Sequence, residues 1–116
     1  MNIESLQSEI RRFVEEREWE KYHTPKNLIM ALAGEVGELT ELFQWLTAEE
    51  SQNVMSDGKS AQKVRHEVAD VFVYLLRLAD KLNINLEEAV REKLLLNQQK
   101  YPAHLAKGTA KKYTEL

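Results

Sequence analysis

No cysteine occurs among the 116 residues, which excludes a disulfide framework, a thiolate zinc site and a thiol nucleophile. Two prolines and four glycines are too few for collagen-like or disordered chains. No apolar run approaches the roughly 20 residues that span a bilayer. The first residues alternate charged and apolar side chains without a signal-peptide core, so a cytoplasmic chain with no membrane partner is expected. An excess of basic charge is also missing. With 16 Lys+Arg against 19 Asp+Glu the net charge is -3, which argues against nucleic-acid polymer as the main ligand. What remains is an ordinary globular composition, 43% apolar. The length suits a single domain over 1–116, with residues from about 103 onward as a C-terminal tail.

The apolar rhythm is helical throughout. Ile3, Leu6, Ile10 and Phe13 predict a first helix from about residue 2 to 20. Thr24 and Pro25 read as an N-cap followed by proline at the first helical position. Leu28, Leu32, Glu35, Leu39, Leu42 and Leu46 then form a ladder of alternating four- and three-residue steps. A third helix repeats it with Val64, Val68, Val71, Leu75, Leu78 and Leu82. Asn85 and Glu88 resemble a capping box opening a fourth helix with Leu86, Val90 and Leu94, which ends before Pro102. Residues 47–59 have no period and read as the one sizeable loop. The expected fold is all-α, a four-helix bundle. Val71 to Leu76 is apolar around nearly the whole helix, which suits either a central helix in a monomer or, as we expect, a face covered in a homo-oligomer.

One rung of the second-helix ladder is wrong for a core. At about 100° per residue, Glu35 falls about 20° from Leu28, inside the apolar seam, with Glu38 on its flank. On the third helix Glu67, Asp70 and Tyr74 share one flank of the apolar stripe by the same reckoning. Carboxylates crowded near a core repel each other and lose hydration. Protonation or a lysine partner would relieve this, but a divalent cation does so better. Four oxygen donors without sulfur suit Mg²⁺ or Mn²⁺. On the fourth helix Lys93, Asn97 and Lys100 fall on the inward stripe, where the lysines either grip phosphate or snorkel to solvent. Trp19, Trp45 and Tyr74 suit a core or stacking on a base. His66 and His104 read as surface residues, and His23 stays open.

Three stretches carry a resemblance: GEVGELTELFQW (34–45), HEVADVFVYLLRLAD (66–80) and NQQKYPAHLAKG (97–108). They resemble the MazG-like all-α nucleoside triphosphate pyrophosphohydrolases, and more narrowly the dCTP-preferring branch. REWEKYHTPKNL (17–28) and the closing KKYTEL add to the likeness. The resemblance implies Mg²⁺-dependent hydrolysis of a (deoxy)nucleoside triphosphate, dCTP or a modified dCTP, to monophosphate and pyrophosphate in nucleotide-pool house-cleaning. It assigns Glu35, Glu38, Glu67 and Asp70 to metal, with Glu35 and Glu38 also catalytic. Lys93 and Asn97 match positions linked to phosphate and metal-bound groups, with Tyr101 close by, and Trp19, Trp45 and Tyr74 match aromatics that enclose the base. Ile10 stands where some members place a histidine. Homodimers or homotetramers are implied as well.

Two rivals use the same residues. An oxygen-using di-iron bundle needs Glu-x-x-His pairs, and neither carboxylate pair here supplies the histidine. A non-enzymatic helical oligomerisation or regulatory module would pair its acidic faces with a partner's lysines.

Overall fold

The computed structural model describes residues 2–116. Its longer helices are α1 (Ile3–Glu16), α2 (Pro25–Glu41), α4 (Gly58–Lys81) and α5 (Leu86–Lys100). Two shorter ones are α3 (Ala48–Gln52) and α6 (Ala103–Ala106), and 3-10 turns occupy Glu20–Tyr22, Val54–Ser56 and Tyr113–Glu115. Among the described residues there is no strand, so the fold is all-α as expected. No helix of these residues is long and apolar enough to cross a membrane. The chain divides into two compact units, one reaching to Asn83 and the other spanning Ile84–Leu116.

Helix starts follow their caps. The Asn2 side chain accepts from the Ser5 N–H at 3.0 Å, and that of Thr24 accepts from the Asn27 N–H at 3.2 Å just before Pro25. The aperiodic stretch 47–59 is not one loop. Thr47 and Glu50 exchange side-chain and backbone bonds of 2.9 and 3.1 Å, a capping box that opens α3. Asp57 then caps α4 by accepting from the Ser60 N–H at 3.0 Å, so this helix starts before Lys59.

Two helix ends fall short of the periodicity. α1 stops at Glu16 rather than near residue 20, because Glu18 takes a left-handed φ of 55° that no helix continues through. α2 stops at Glu41 rather than Leu46. The Thr40 hydroxyl donates back to the Val36 carbonyl at 2.7 Å, and residues 42–46 proceed through tight turns such as Phe43 N–H to the Thr40 carbonyl at 3.0 Å.

Within the first unit α4 is the shared element, packing against α2, α1 and the Val54–Ser56 turn. The buried apolar residues among those described are Val14 of α1, Leu28 of α2, and Val64, Leu76 and Ala79 of α4. The α2 ladder keeps its lesser exposure from Leu28 to Leu39, as its spacing predicts. The α4 ladder does not: Val68, Leu75 and Leu82 form an exposed apolar row. Spacing identifies such a row but not what packs on it, and although α4 packs against α1 and α2, these three residues stay exposed.

Candidate metal centre

Glu35 and Glu38 sit one helical turn apart on α2, and Glu67 projects from α4, the helix packed against it. One carboxylate oxygen from each of these three residues lies within 4.8 Å of the others. Glu35 and Glu67 are half-buried, and Glu38 is exposed. The Oε2 atoms of Glu35 and Glu67 are shielded from solvent and have no hydrogen-bond partner among the described residues. Such atoms are costly to leave unpaired.

The Glu35 carboxyl is pushed up to about 7. Burial is the first cause, and the neighbouring carboxylates of Glu38, Glu67 and Asp70 add to it. The trio is therefore short of positive charge. Orphaned oxygens in an all-oxygen donor set fit a hard divalent cation, Mg²⁺ or Mn²⁺. Asp70, the fourth expected ligand, is exposed and lies outside the three-residue cluster, yet its charge is among those acting on Glu35.

The other expected site residues are distributed as follows. Tyr74 is half-buried on α4. Trp19 is not on α1 but in the connector to α2, edge-on to Phe13 with ring centroids 5.8 Å apart. Trp45 lies beyond the end of α2, on the turn that follows, 86% exposed. Lys93, Asn97, Lys100 and Tyr101 belong to the second unit. There Asn97 is half-buried, Lys93 is exposed, and the Lys100 ammonium stands 5.2 Å from the centre of the Tyr113 ring, which also packs edge-on to Tyr101.

Periodicity missed a second polar centre in the first unit. Arg77 is 3% exposed and bonds Glu20, His23 and Asp80. Its signal was an arginine inside an otherwise apolar run, with an aspartate three positions on. His23, which the sequence left open, is its Nε acceptor at 3.1 Å.

Comparison with known proteins places the chain in a family. Residues 31–116 match the MazG-like family model, and the chain belongs to the MazG-like family. It is 45% identical over 104 residues to the dCTP pyrophosphatase 1 of Mus musculus and to that of Homo sapiens, covering 90% of this chain. The chain spans 61% of the length of those relatives. It is also similar to the solved structure of a pyrophosphatase from Archaeoglobus fulgidus, with TM-score 0.80, 44% identity, 85% of this chain and 91% of that chain covered.

Proposed function

We propose that the chain hydrolyses a nucleoside triphosphate between the α and β phosphates, with dCTP or a modified dCTP as substrate, in nucleotide-pool control. The observation that carries the reading is the Glu35–Glu38–Glu67 trio with its two buried, unpartnered oxygens. Support for the substrate class comes from the dCTP pyrophosphatases to which the chain is similar.

Glu35, Glu38 and Glu67, with Asp70 beside them, would hold Mg²⁺, which when bound offsets the triphosphate charge and polarises the attacked phosphorus. A carboxylate of the Glu35–Glu38 pair takes a proton from the attacking water. The new bond runs from water oxygen to α-phosphorus, and the bond from that phosphorus to the bridging oxygen breaks. Lys93 and Lys100, with Asn97 and Tyr101, are the phosphate-binding groups that the family resemblance and helix spacing suggest within the second unit, and lysines there would stabilise charge on a phosphate leaving group. Trp19, Trp45 and Tyr74 enclose the base, for which stacking on an exposed ring is the physical means.

The reading treats 1–116 as one functional domain and sets it in the cytoplasm, where nucleotide pools lie. It also takes a homodimer or homotetramer as the working form. Exposed Ile29, Met30, Val36, Val68, Val73 and Leu75 support that, since apolar area on this scale favours a partner.

The test is pyrophosphate release from a panel of normal and modified dNTPs with Mg²⁺, on wild type and Glu35→Gln. Turnover that is lost with chelator and with the variant supports hydrolysis. A wild type inert toward every nucleotide leaves the oligomerisation module as the better reading.

A further inference from the structure

Arg77 is a charge placed where charges are expensive. A guanidinium this enclosed is tolerated only with its donors paired. Its Nε donates to Nδ1 of His23 at 3.1 Å, one terminal nitrogen donates to Asp80 at 3.3 Å, and the other reaches Glu20. The acids are shared with other cations. Lys81 donates to Glu20 at 2.7 Å, and Arg11 of α1 donates to Asp80 at 2.7 and 3.0 Å. Two of the three Arg77 partners, Glu20 and His23, belong to the connector between α1 and α2.

That connector also carries Trp19. Its path is irregular: Glu18 is left-handed, the Trp19 N–H returns to the Val14 carbonyl at 3.1 Å, and the Glu20–Tyr22 turn follows at once. A non-glycine residue with positive φ persists only where its surroundings over-determine it. On one side the surroundings are Phe13, edge-on to the indole, with the Arg17 guanidinium 3.7 Å from the centre of the Phe13 ring. Just beyond Trp19 in the chain, Arg77 holds Glu20 and His23. Trp19 itself is 43% exposed, so aromatic packing alone leaves it much open surface.

We infer that Arg77 is a positioning residue for Trp19: by pinning Glu20 and His23 to α4 it fixes where the indole stands, an inference that rests on Trp19 enclosing substrate as proposed above. Arg77 touches none of the three clustered carboxylates, so its effect falls on substrate binding and not on the chemical step. A role confined to stability would lower the melting temperature and leave binding unchanged.

The experiment uses Arg77→Met, which keeps length and removes the fork. Glu20 retains Lys81 and Asp80 retains Arg11, so the variant does not strand either acid. KM and kcat are measured with dCTP and Mg²⁺, and acrylamide quenching of Trp19 is read with and without Arg77→Met in a Trp45→Phe background, where it is the sole tryptophan. The expected result is a KM raised on the order of 10-fold at nearly constant kcat, with Trp19 more readily quenched. A folded variant with unchanged quenching and KM, or with reduced kcat at constant KM, overturns the inference. Should the wild type turn over no nucleotide, the functional reading fails, and quenching alone decides whether Arg77 places Trp19. Should Arg77→Met not fold, Glu20→Gln weakens the same pin from its exposed end and is held to the same two measurements.

Discussion

Glu35 and Glu67 stand on neighbouring helices, each with one carboxylate oxygen shut away from water and unpartnered among the described residues. Neither could hold that posture cheaply as a bare anion. The pair should therefore make the fold sensitive to protons, and on the proposed function to divalent cations, at one place.

The proton dependence has a definite sign. Native Glu35 is pushed up to about 7 from its ordinary value of 4.5, so between those pH values the folded chain holds a proton that the unfolded chain has released. Stability from this group is complete below the unfolded value and is lost as pH rises through the native one. In chelator, the melting temperature of Glu35→Gln should gain on wild type from pH 4.5 to pH 7. A constant difference across that range would contradict the burial assigned to Glu35.

Cation binding should separate Glu67 from Asp70. Glu67→Gln removes one of the three clustered donors, whereas Asp70→Asn removes a charge outside the cluster. Titration calorimetry with Mg²⁺ should show the larger loss for Glu67→Gln, with Asp70→Asn costing about 10-fold, as for groups that support a ligand set. Equal losses would mean that Asp70 is itself a ligand.

His23 gives the opposite pH slope. Burial, and then the Arg77 charge, hold its imidazole below the usual histidine range. Its contribution is present above the unfolded value of 6.5 and is lost as pH falls through the depressed native one. Wild type should therefore lose melting temperature relative to His23→Asn on acidification below pH 6.5. No relative change would mean that the Arg77–His23 bond does not require neutral imidazole.

Gly34 and Gly37 lie inside α2, and a Cβ built on either meets nothing within 4 Å. Glycine in a helix interior costs about 0.5–1 kcal/mol against alanine. Gly37→Ala should stabilise the fold by about that amount, measured by urea unfolding. Destabilisation would show that a neighbour closes on this face in the assembled protein.

The sequence made the acid trio legible because a glutamate on a leucine ladder breaks a pattern, and patterns are what one dimension preserves. Thr47 and Glu50 were legible in principle, as a capping box, but the absence of apolar period in residues 47–59 hid the short α3. The second helix was read too far because the apolar ladder runs on to Leu46 past Glu41, although Thr40 turns its hydroxyl back on the helix. Arg77 was missed for another reason. Its partners Glu20 and His23 lie 57 and 54 positions away, and no local rule joins them.

Glu67 and Arg77 are carried by the same unbroken helix, α4. Ten residues separate them, which at about 1.5 Å of rise each is about 15 Å. A hydrogen-bonded rod of this kind is a ruler: it cannot stretch, and slipping by one residue would swing one end about 100° relative to the other. Insertions or deletions between those two positions would thus put the two ends out of register.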